Sequence, residues 1–171
     1  DYVTLTSVVT TSIAGACAIN GKVYAAVSLL FLAMIADAVD GMLARKWGLE
    51  RNFGRYLDGF MDVLIYLVTP ALVMYQWGFN GIYGAFIIAF VAAGCTRLAV
   101  FNEIGNIEEE GSLSYLGMPV FWSVLILAMS MISSLLVPIE LSRVLLAIAL
   151  SVFSFLMIYR RPFFKFKSLL Q

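Results

Sequence analysis

Four aspartates stand close together in the chain, Asp37, Asp40, Asp58 and Asp62. In the stretch Asp37-Ala-Val-Asp-Gly-Met-Leu-Ala-Arg45, the non-lipid positions 37, 40, 41, 44 and 45 fall at i, i+3, i+4, i+7 and i+8. That is one stripe of an α-helix. Further on, Gly54, Asp58 and Asp62 recur at intervals of four and share a second stripe. Two antiparallel helices joined by a short loop can turn these stripes toward each other, so that the carboxylates converge. The chain has no histidine, so the converging ligands are hard oxygens. These suit magnesium, manganese or calcium, and four carboxylates carry enough charge for two ions. Such ions bind phosphate-bearing substrates. Gly41, Ala44 and Gly54 offer small surfaces where a bulky ligand can approach the backbone, and Arg45 can clamp a phosphate through its planar fork. Without imidazole, proton transfer falls to a carboxylate.

The elements that must position these residues are set by composition. Of the 171 residues, 62% are hydrophobic and 13% charged, and the mean hydropathy is +0.94. That is far from a soluble domain and expected of a chain in a bilayer. Backbone amides facing lipid must be satisfied internally, and the apolar runs are too long for barrel strands. The reading is therefore all-α, a single polytopic domain over 1–171 with six transmembrane helices. They fall at roughly 2–19, 22–46, from 52 to the turn Gly78-Phe79-Asn80-Gly81, 81–101, 117–136 and 140–160. Asn102 to Ser114, with Glu103 and Glu108-Glu109-Glu110, is too polar for lipid and reads as the longest loop. The run from Tyr2 has no basic region before it and reads as a first span rather than a cleaved leader. Cys17 and Cys95 lie in apolar runs and read as packed thiols, and zinc held by His or Cys is excluded. No nucleic-acid partner is expected.

Each feature also has a plainer reading. Small residues at four-residue spacing commonly serve helix packing, and Arg45, Lys46, Arg51 and Arg55 alone would read as an interfacial anchor. Four intramembrane aspartates resist this, because each costs about 2.5–3.5 kcal/mol without water, cations or partners. A proton or cation pathway is the main rival to a catalytic metal site. Lysines and arginines set the orientation: with the N-terminus inside, nine lie near the inner face, and only Lys22 and Arg143 lie outside. Both termini, the loop after the second helix and the acidic loop are then cytoplasmic.

Residues 37–62, DAVDGMLARKWGLERNFGRYLDGFMD, match without departure the pattern D-x2-D-G-x2-A-R-x8-G-x3-D-x3-D. In this the chain resembles the CDP-alcohol phosphotransferase family, with eight fixed residues at fixed spacing. The resemblance implies attack of an alcohol on the lipid-side phosphorus of a CDP-lipid, CDP-diacylglycerol or CDP-archaeol, with release of CMP. It implies metal ligation by Asp37, Asp40, Asp58 and Asp62, Mg2+ or Mn2+ as two ions, and a homodimer. Asp62 resembles the family's base for the incoming hydroxyl, and Gly41, Ala44, Arg45 and Gly54 would line the CDP pocket.

Further segments are similar to the phosphatidylserine synthase branch. They are DGFMDVLIYLVTPALVMY from Asp58 to Tyr75, Arg97-Leu-Ala-Val-Phe-Asn102 and Tyr115-Leu-Gly-Met-Pro119. Val100 departs from that branch, where a second arginine usually stands. L-serine is thus the expected acceptor, with inositol phosphate, glycerol phosphate or an amino-alcohol as alternatives. Arg97, about one turn inside the end of its helix, can bind serine's carboxylate in bidentate fashion or pair with one of the aspartates. Glu103 and the 108–110 run read as a solvated loop.

Overall fold

Apolar runs coil into helices wherever the chain offers no competing turn, and the turns fall at glycine and proline. The computed structural model describes residues 2–47, 52–104, 107–109, 112–159 and 162–164. Helix α1 (Tyr2–Ile19) ends where Gly21 takes φ +73° and the Lys22 amide donates to the Cys17 carbonyl at 2.9 Å. This αL turn satisfies carbonyls that the helix leaves open. The chain reverses into α2 (Val23–Trp47), which packs on α1, and Ala14 and Ala18 of α1 and Ala26 and Ala33 of α2 are all at 0% exposure. Small side chains allow this close approach.

The next rod is continuous but not uniform. Helix α3 (Asn52–Val63) runs into a π segment (Leu64–Val68) and then α4 (Thr69–Gln76). Gly78 at φ +95° closes the rod, with the Phe79 amide donating to the Met74 carbonyl at 3.0 Å. Past a 3-10 turn (Gly81–Tyr83), α5 (Gly84–Ile104) runs back, and α6 (Trp122–Ser133) and α7 (Ile139–Ile158) complete six helical rods. Phe90 of α5 stacks on Phe153 of α7 with ring centroids 6.0 Å apart.

Contacts fix which ends lie together. A side chain at Gly59 of α3 would meet Asn102 near the end of α5, and one at Gly117 would meet the Met157 carbonyl of α7 and the Arg97 guanidinium of α5. At the opposite end, Gly78 lies under the Arg143 guanidinium of α7, which pairs with Glu140 at 2.7 Å. The bundle thus has one end holding residues 59, 102, 117 and 157, and another holding 78 and 143.

Leu57–Gln76, Gly81–Glu103 and Ile139–Ile158 are long and apolar enough to cross a membrane, and Thr6–Ile19, Val23–Val39 and Trp122–Ser133 are shorter apolar helices. The outer surface carries many large apolar side chains: Ile82, Ile88, Met129 and Leu136 are all mostly exposed. In water such a surface would be an aggregation hazard, and in lipid it is matched to its solvent. Thr10, Ser12, Ser28 and Ser151 turn their hydroxyls back onto carbonyls four residues earlier, which keeps them satisfied on apolar helices.

Two expectations need correction. The polar stretch after α5 is not all loop: β1 (Ile107–Glu109) pairs antiparallel with β2 (Ser112–Leu116), and β3 (Pro162–Phe164), from the basic tail, pairs on β2's other side. The fifth rod begins at Trp122 rather than near 117. Gly117 sits at φ +78° and the Met118 amide bonds the Leu156 carbonyl at 3.1 Å, so this stretch is tied to the end of α7 before the helix can start.

Candidate active site

The acidic residues come from two rods. Asp37 lies half-buried on α2, Asp58 is exposed and Asp62 half-buried on α3. Asp37 of the first stripe lies within electrostatic reach of Asp62 of the second. The charges of Asp37 and Asp58 both act on Asp62, and all three act on the hydroxyl of Tyr66. Tyr66 is 4% exposed and donates a hydrogen bond of 2.8 Å to Asp37 Oδ2.

Tyr66 is reached by the same four-residue step that gave Gly54, Asp58 and Asp62. It lies in the π segment, and the local sequence explains why the helix is disturbed there. Pro70 has no N–H, so the donor that an α-helix would present to the carbonyl four residues earlier, that of Tyr66, is absent. Ser123 of α6 supplies the donor instead, its Oγ bonding the Tyr66 carbonyl at 2.6 Å. The Thr69 amide meanwhile bonds the Leu64 carbonyl, a five-residue step. Leu67 packs on Gly94 of α5, where even a Cβ would overlap its methyls.

Asn102 packs on Gly59, between Asp58 and Asp62 in sequence, with its Nδ2 2.8 Å from where a Cβ would stand. Arg97 is 5% exposed, its guanidinium carbon 5.5 Å from the centre of the Phe101 ring and its Nε against Gly117. Arg97 therefore stands at the aspartates' end of the bundle. Gly41 is half-buried on α2 one turn beyond Asp37. Asp40, Ala44, Arg45 and Gly54 lie along α2 and α3, and their side chains and surroundings are outside the described part of the chain. Tyr66, Pro70, Ser123, Gly59 and Asn102 are additions to the sequence-derived set. The four-residue step was a usable signal for Tyr66, whereas Ser123, 57 residues away from Tyr66, had none.

Among the described residues, no three carboxylates or thiols form a group that could by itself hold a metal ion. The side chain of Asp40, the fourth aspartate of the motif, lies outside the described part of the chain. The donor chemistry fits a hard divalent ion: carboxylate oxygens from two packed rods, with no histidine. The Tyr66 bond engages one oxygen of Asp37, and a carboxylate offers about four lone-pair sites in all.

Apolar helices with carboxylates from two rods near one end of the bundle define a membrane-helix protein with an acidic centre. A family model described as CDP-alcohol phosphatidyltransferase matches residues 1–158, and the chain belongs to that family. Members generally use a divalent metal. The chain is 30% identical over 151 residues to a CDP-diacylglycerol–serine O-phosphatidyltransferase of Bacillus subtilis, covering 85% of this chain and 78% of that one. It is 31% identical over 106 residues to an archaetidylserine synthase of Methanothermobacter thermautotrophicus, covering 60% and 44%. It is also 30% identical over 101 residues to a phosphatidylcholine synthase of Brucella melitensis, covering 57% and 36%. The chain thus spans less than half the length of the latter two relatives.

Proposed function

We propose that this chain transfers a phosphatidyl or archaetidyl group from a CDP-lipid to the hydroxyl of L-serine, releasing CMP. The observation that carries it is that the charges of Asp37 and Asp58, from two rods, both reach Asp62 inside an uninterrupted family pattern. In net, the serine hydroxyl oxygen bonds the lipid-side phosphorus, the bond from that phosphorus to CMP breaks, and the hydroxyl proton goes to Asp62. Asp37, Asp40, Asp58 and Asp62 would hold the divalent metal, which when bound neutralises charge on the diphosphate. Gly41, Ala44 and Gly54 leave room for the nucleotide, and Arg45 grips a phosphate. Arg97, already desolvated, receives the acceptor's carboxylate at the same end of the bundle.

The same reading carries six membrane spans, with the three shorter apolar helices completing the crossing beside longer neighbours, a cytoplasmic active site and a homodimer. The similarity to a CDP-diacylglycerol–serine O-phosphatidyltransferase and an archaetidylserine synthase supports serine as the acceptor. The phosphatidylcholine synthase supports an amino-alcohol as the second reading, and a choline acceptor would have no use for Arg97. Family membership argues against the proton- or cation-pathway alternative. Purified protein supplied with CDP-lipid, metal and a panel of serine, choline, inositol phosphate or glycerol phosphate should release CMP with serine. Release with another acceptor and none with serine would refute the assignment.

A further inference from the structure

Tyr66 is a buried residue whose hydroxyl donates a hydrogen bond to Asp37 Oδ2 at 2.8 Å. Its backbone is held just as specifically. Pro70 withholds the helical donor, and Ser123, itself 0% exposed, bonds the Tyr66 carbonyl at 2.6 Å. Leu67, the next residue, is at 0% exposure and seated on Gly94 of α5. A π turn inside a helix costs regular hydrogen bonding and recurs at functional sites. Here it places a phenol from α3 and α4's rod on a carboxylate of α2. A tyrosine needing only to satisfy its hydroxyl could do so on a nearby carbonyl, without a π turn and without approaching an ionised group.

We propose that Tyr66, held by Ser123, is a positioning residue that fixes the Asp37 carboxylate for metal binding. The inference rests on the reading of Asp37 as a metal ligand. An aspartate side chain has two free torsions, and a hydrogen bond to one oxygen restricts both. The metal then meets a ligand already oriented, and less ordering is left for the binding step. Partners that hydrogen-bond metal ligands in this way typically change affinity or activity by about 10–100-fold.

The test is Mn2+ binding to detergent-purified protein, read as free Mn2+ by electron paramagnetic resonance without substrate, for wild type, Tyr66→Phe, Ser123→Ala and Asp37→Asn. Tyr66→Phe should bind Mn2+ about 10-fold or more weakly. The Mn2+ concentration for half-maximal CMP release should rise by the same factor, and saturating Mn2+ should restore most turnover. Ser123→Ala, which keeps the phenol but frees its carbonyl, should shift both in the same direction by less, and Ser123→Thr should rescue it. Asp37→Asn should abolish the tighter binding. If Asp37→Asn weakens Mn2+ binding while folded Tyr66→Phe and Ser123→Ala match wild type, positioning by Tyr66 is refuted and the metal assignment stands. If Asp37→Asn matches wild type, both fall. Should Tyr66→Phe not fold, the Ser123→Ala titration decides alone, and wild-type affinity there overturns the proposal.

Discussion

Replacing Ser123 by alanine removes one oxygen, and its predicted cost follows from the loss of its hydrogen bond to the Tyr66 carbonyl. The acceptor lies in the core, with Tyr66 4% and Ser123 0% exposed, and the Ser123 bond is 2.6 Å. Position 70 is proline and cannot replace it. Removing a side-chain donor from a buried acceptor costs about 1–3 kcal/mol. Ser123 is the second residue of α6, so alanine's better helix propensity offsets little of that. With about 2–4 °C per kcal/mol for a chain of this size, the melting temperature should drop by roughly 2–12 °C. The assay is thermal unfolding in detergent followed by circular dichroism, and Ser123→Thr should restore most of the loss. Pro70→Ala returns a helical N–H, so the cost of Ser123→Ala should shrink by about 1 kcal/mol in that background. An equal cost in both backgrounds, or none in either, would refute this explanation of the π segment.

Other outcomes follow from the same coordinates. Asp62→Asn should keep CDP-lipid binding, measured by equilibrium titration, while losing most CMP release; normal turnover would remove Asp62 from the chemistry. Gly94→Ala should destabilise by about 1–3 kcal/mol, because the new methyl overlaps the buried Leu67. Gly15→Ala, which meets nothing within 4 Å, should be neutral or stabilising by up to about 1 kcal/mol, and paired melting curves check both. Arg97→Lys replaces a fork by a point charge and should raise the KM for serine about 10-fold or more. The KM for CDP-lipid should stay unchanged, and steady-state kinetics with each substrate varied separate the two.

The six rods could be read in the sequence because long apolar runs are punctuated by residues that force a turn. Asn20-Gly21 and Gly78 end helices in the left-handed region, and Pro138 precedes α7. The aspartates were equally legible, since helical spacing alone puts each pair on one stripe. What sequence could not supply was partnership over distance. Tyr66 lay on the visible stripe, but its bond to Asp37 spans 29 residues and its support by Ser123 spans 57. The late start of α6 depends on Gly117 lying against the Met157 carbonyl. The pairing of Ser114 with Phe164 joins a polar loop to a basic tail, and neither segment carries enough periodicity to announce a strand by itself.

The most direct measurement is the fate of labelled serine with purified protein, CDP-lipid and Mn2+, read as label in the lipid phase and CMP in the aqueous phase. One CMP should appear per serine incorporated, with both lost on chelation of the metal and in Asp62→Asn. CMP release without label in lipid, or no product of either kind with an intact, folded protein, would contradict a serine-accepting CDP-alcohol phosphotransferase.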